Sequence, residues 1–61
     1  MIKQVIAEMV ARGWSIYLIS SRSGINQLRL ERGVLGVREE RALLRLAEEE
    51  AGFSVDDLVQ E

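Results

Sequence analysis

The sequence predicts an all-α fold, a compact bundle of five short helices, on three observations. Apolar residues near the start recur at helical spacing. No proline occurs, while glycines at 13, 24, 33, 36 and 52 divide the chain into helix-length pieces. The stretch from Val37 to Ala51 is built mainly from Glu, Arg, Leu and Ala, all strong helix formers.

Each element has its own warrant. Between Met1 and Arg12, the residues Ile2, Val5, Ile6, Met9 and Val10 fall at i, i+3, i+4, i+7 and i+8, the stripe of an amphipathic helix. Gly13 supplies a left-handed C-terminal cap. Ser15 is the N-cap expected for a second helix through Ile16, Tyr17, Leu18 and Ile19 to about Ser23, closed by Gly24. The apolar run 16–19 is strand-like in composition; the closing glycine and the helical surroundings favour a helix. Asn26 is the N-cap expected for a third helix over Gln27–Arg32, and Gly33 and Gly36 frame a turn whose Val34 and Leu35 dock on the core. The fourth helix covers Val37–Ala51, with Leu43, Leu46 and Ala47 buried and Leu44 and Ala51 flanking; Gly52 ends it. Ser54 and Asp57 have capping-box spacing, which predicts a fifth, short helix carrying Leu58 and Val59. Turns this short leave no linker, so residues 1–61 are expected to form one domain.

Composition narrows the function. A chain of 61 residues buries only about 60% of the surface its unfolded form exposes, so it calls for a staple or a partner. There is no cysteine and no histidine, which excludes disulfides and nearly all transition-metal sites and predicts no cofactor. The same absences remove the commonest general base and the best thiol nucleophile, and Lys3 is the one lysine, so an enzyme is not expected. No glycine spacing matches a phosphate-cradling loop. Apolar runs fall far short of a membrane span and no targeting signal opens the chain, so a cytoplasmic protein without membrane partners is expected.

The formal net charge of −2 hides an asymmetry. Residues 1–38 set Lys3, Arg12, Arg22, Arg29, Arg32 and Arg38 against Glu8 and Glu31, net +4; residues 39–61 are net −6. Segregation of this kind suggests a basic binding face.

Two short helices joined by a tight glycine turn fit the general description of a helix-turn-helix. The residues Gly13-Trp14-Ser15, Ile19-Ser20, Gly24-Ile25 and Asn26-Gln27 go further. Together with Leu43-Leu44-Arg45-Leu46-Ala47, Ala51-Gly52-Phe53-Ser54 and Asp56-Asp57-Leu58, they resemble the lambda-repressor and Cro-like (XRE-type) helix-turn-helix family over nearly the whole chain. Glu31-Arg32-Gly33 is similar to the family's Glu-x-Gly after the recognition helix, although the spacing from Gly24 is shorter than usual, which implies a shortened helix ending near Arg32.

The resemblance implies a lambda-repressor-like domain of phage or prokaryotic origin: a transcriptional regulator that represses by binding double-stranded operator DNA as a homodimer. Side-chain chemistry then nominates Gln27, Arg29, Arg32, Asn26 and Leu28 for base readout. Ser15, Ile16, Tyr17, Arg22 and Arg38 are the candidates for phosphate contact, the first two through backbone N–H groups. The acidic C-terminal half is expected to face away from the duplex. Trp14 and Tyr17 are expected in core or rim packing rather than base stacking, and Phe53, Val55, Leu58 and Val59 either close the core or form a dimer face. The competing expectation is a protein-binding module of the same fold, an antitoxin or a phage-encoded inhibitor, acting through the acidic half. A solvated face with no partner is the plainest reading of Arg29 and Arg32.

Overall fold

The computed structural model describes residues 1–58. Four α-helices follow one another: α1 Ile2–Ala11, α2 Ile16–Ser23, α3 Gln27–Arg32 and α4 Val37–Leu46. The last continues into a π-helical turn over Ala47–Ala51, and a single 3-10 turn over Val55–Asp57 follows it. No strand occurs among the described residues. The fold is all-α, but the expected fifth helix is that one 3-10 turn. Its bonds span three residues, Asp57 N–H to Ser54 C=O at 3.0 Å and Leu58 N–H to Val55 C=O at 3.0 Å. An Asp57 carboxylate oxygen accepts the Ser54 N–H at 3.1 Å, a capping contact without a helix to propagate it. Val59, expected in that helix, lies outside the described residues.

Glycine sets the ends of the elements. Gly24 (φ 77°), Gly33 (φ 71°) and Gly52 (φ 82°) are left-handed and follow α2, α3 and the π turn. This is a conformation in which a Cβ meets the following carbonyl. At Gly33 the constraint is doubled, since a Cβ there would stand 2.9 Å from Lys3 Cγ of α1. The starts are set by side chains. Ser15 Oγ accepts the Leu18 N–H at 3.0 Å, and Asn26 Oδ1 accepts the Leu28 N–H at 2.8 Å.

The helices close over one core of Ile2, Val5, Ile6, Met9, Ile19, Ile25, Leu30, Leu43, Leu46, Ala47 and Phe53. Trp14, Ile16, Leu35, Leu44, Ala51, Val55 and Leu58 pack around it, half-buried. No polar side chain is buried among the described residues. α2 packs on both α3 and α4, while α1 packs on α3 and the π turn. The π turn brings Ala47 and Ala51 back to the core side and leaves Glu48, Glu49 and Glu50 in solvent.

Three apolar residues depart from expectation. Val10 is 49% exposed, because at 100° per residue it lies roughly 90° from the centre of the stripe formed by Ile2, Val5, Ile6 and Met9. Tyr17 is 73% exposed, neither core nor rim; helical periodicity splits the run 16–19, turning Ile16 and Ile19 inward and Tyr17 and Leu18 outward. Val34 is exposed where Leu35 alone docks, the two alternating across an extended turn. Phe53, left open between core and interface, is core at 4% exposure.

Candidate functional site

The site begins with the α2–turn–α3 unit. The turn is Gly24-Ile25-Asn26. Ile25 is buried there, and its backbone groups are satisfied by hydroxyls of the helix before it. Ser20 Oγ donates to the Ile25 carbonyl. Ser23 Oγ donates to the Ile19 carbonyl at 2.6 Å and accepts the Ile25 N–H at 3.3 Å. These bonds fix how α3 leaves α2, with Ile19, Ile25 and Leu30 buried beneath. Sequence reasoning placed Ser20 in the motif and gave Ser23 no role. A serine four residues after a helical carbonyl, just before glycine, is the signal that could have found it.

Among the base-readout candidates, Asn26 is exposed, with its Oδ1 occupied in capping and its amide nitrogen outside that bond. Gln27 is half-buried and Leu28 is 60% exposed. Arg32 is exposed. Arg29 is exposed too, but its Nη2 lies 2.8 Å from Glu39 Oε1 in α4. That same oxygen accepts the Gly36 N–H at 2.9 Å, so Glu39 caps α4 while holding Arg29.

The phosphate candidates fall in separate groups. Ser15, Ile16 and Tyr17 sit at the N-terminus of α2, where Ser15 and Tyr17 are exposed and Ile16 packs half-buried on the core. The α-helical ladder there starts at Ile19 N–H to Ser15 C=O at 2.9 Å, so the N–H groups of Ile16 and Tyr17 precede it. Arg22 lies about 10 Å further along the axis, with its Nη1 at 3.4 Å from Glu50 Oε1. Arg22 and Glu50 line an open cleft with Ser23, Arg45 and Glu49. Arg38 is exposed in the first turn of α4.

The acidic half therefore does not simply face away. Glu39 reaches Arg29 of α3 across the turn between α3 and α4, and Glu50, in the π turn, reaches Arg22 of α2, a pair distant in sequence that follows from the packing of α4 on α2. Both pairs are largely solvent-exposed, a setting in which an ion pair contributes roughly 0–1 kcal/mol.

Sequence reasoning also missed Arg12. Its Nε bonds Glu8 Oε2 at 2.9 Å, its Nη1 donates to the Ala51 carbonyl at 3.3 Å, and its guanidinium carbon stands 4.7 Å from the centroid of the Phe53 ring. It holds the end of α1 against the segment after the π turn and belongs to the scaffold of the site.

Among the described residues no helix is long and apolar enough to cross a membrane. Comparison with protein-family models, with curated proteins and with solved structures finds no match to this chain.

Proposed function

We propose that this chain is a sequence-specific DNA-binding regulator of the Cro-like type, which seats α3 in the major groove and binds its operator as a homodimer. The observation that carries the reading is the α2–turn–α3 unit. Its second helix is anchored by the buried Leu30 and presents Leu28, Arg29, Glu31 and Arg32 outward, none of them needed by the core. Six helical residues rise about 9 Å, within a major groove roughly 12 Å wide. The N–H groups opening α2, with the exposed Tyr17, suit the backbone contact that the first helix of such a unit makes.

The ion pairs of Arg29 and Arg22 do not bar this role. A bidentate arginine–guanine contact discriminates by roughly 1–3 kcal/mol, against the roughly 0–1 kcal/mol of an exposed pair. Releasing Arg29 from Glu39 therefore costs little beside the discrimination a guanine contact supplies, and Glu39 keeps its bond to the Gly36 N–H.

A duplex selected from a random-sequence pool tests the proposal. Binding is expected to weaken linearly in log–log form with salt, with a slope of about −0.9 per phosphate contacted. Gln27→Ala and Arg29→Ala are each expected to erase the preference for the selected site with the fold intact. Absence of duplex binding at low salt overturns the reading. The protein-binding alternative draws on Glu48, Glu49 and Asp56, which are exposed and in no ion pair among the described residues. It predicts binding to a basic partner that Glu48→Gln and Glu49→Gln weaken, with no selected duplex.

A further inference from the structure

We propose that Glu31 is itself a base-reading residue and selects a cytosine at one position of the operator, an inference that rests on the DNA-binding reading above. On α3 the residues Gln27, Leu28, Glu31 and Arg32 stand at i, i+1, i+4 and i+5, which puts them on one face. Leu30, at 1% exposure, points to the core on the other side. Arg29 lies at the flank of this face and, in the free chain, is paired with Glu39 of α4. The outer face therefore centres on Leu28, Glu31 and Arg32, all exposed. Glu31 takes part in none of the ion pairs among the described residues, so no intramolecular cation has to be displaced before it meets a partner.

The chemistry of the groove then selects the base. An ionised carboxylate only accepts hydrogen bonds. Guanine shows the acceptors N7 and O6, thymine the acceptor O4, and adenine a donor beside the acceptor N7; cytosine alone offers only a donor, its N4 amino group. The same negative charge is repelled by phosphates at every site, and only the cytosine amino group offsets that repulsion, so Glu31 also discriminates against non-cognate duplex. Arg32, next on the face, suits a guanine beside that cytosine.

Selection from a random-sequence duplex pool with the wild-type chain, Glu31→Gln and Glu31→Ala tests this, with circular dichroism confirming that both variants stay helical. The wild-type motif is expected to contain one position fixed as cytosine. Glu31→Gln is expected to move that position alone toward adenine, which glutamine pairs through N6 and N7. Glu31→Ala is expected to lose the preference there by roughly ten-fold or more, and both variants to bind random duplex more tightly than the wild type. An identical motif from all three proteins overturns the role of Glu31 and leaves the DNA-binding reading standing. No motif from the wild type overturns both.

Discussion

Arg12, the C-cap of α1, makes three contacts of different kinds: an ion pair back to Glu8 of α1, a hydrogen bond to the carbonyl of Ala51 at the end of the π turn and a ring contact with Phe53 beyond it. The ion pair is i,i+4 and exposed, a class that contributes about 0.3–0.5 kcal/mol. The contacts to Ala51 and Phe53 cross the fold and add about 1 kcal/mol. Arg12→Met keeps an apolar stem over the ring and removes the charge. It is expected to lower stability by about 1–2 kcal/mol, and Glu8→Gln by less than half of that. Thermal melting measures both, with about 4–8 °C per kcal/mol for a domain of this size; equal losses would show that the contact across the fold contributes nothing. Gly33 and Gly24 give a second comparison at this scale. Alanine at either left-handed position costs roughly 1–2 kcal/mol. Gly33→Ala must also push aside Lys3, whose Cγ would lie 2.9 Å from the new Cβ. It is therefore expected to be the more damaging, with Lys3→Ala recovering the difference in the double variant.

The α2–α3 unit depends on its hydroxyls. Ser15→Ala removes the cap on the Leu18 N–H and is expected to cost about 1 kcal/mol. Ser23→Ala removes both a donor to Ile19 and the acceptor of the Ile25 N–H. Its cost is expected to exceed that of Ser15→Ala, because Ile25 is buried and an unpaired N–H there bears the desolvation penalty of about 1–3 kcal/mol. Urea unfolding of the two variants ranks them. The boundaries of this unit were legible in the sequence because Ser15, Gly24, Asn26 and Gly33 act on their nearest neighbours: caps and left-handed turns are local chemistry. The buried residues Leu43 and Leu46 of α4, with Ala47 at the start of the π turn, were legible for the same reason, since periodicity is a property of one helical run. The pairings Arg29–Glu39 and Arg22–Glu50 were not, because they depend on how the turn after α3 sets the start of α4 and how the π turn is placed beside α2. Counting charges by half of the chain separated partners that the fold brings together. The π turn was equally hidden: the composition of residues 47–51 suits an α-helix, and nothing local marks the widened turn that precedes the buried Phe53.

At the scale of the whole molecule, a single small core carries the fold. A chain of 61 residues has a total stability of about 3–9 kcal/mol. Leu43 of α4 is fully buried in that core, and truncating such a residue to alanine costs about 2–5 kcal/mol. Leu43→Ala is therefore expected to remove about half of the stability, seen as a melting temperature lowered by more than about 10 °C at roughly 4–8 °C per kcal/mol. Self-association would relieve this margin. If the working form is a homodimer, the melting temperature is expected to rise with protein concentration, whereas a melting temperature constant across a hundred-fold dilution series marks a monomer. A means of following all of this is already built into the chain. Trp14 is the only indole, half-buried against the core in the connection between α1 and α2 and directly before the N-cap Ser15. Its emission is expected to shift to the red as the core opens to water and, on the proposed DNA-binding reading, to change when a duplex closes over the start of α2. One intrinsic fluorophore thus follows folding and tests the proposed occupancy in the same experiment, without a label on the chain.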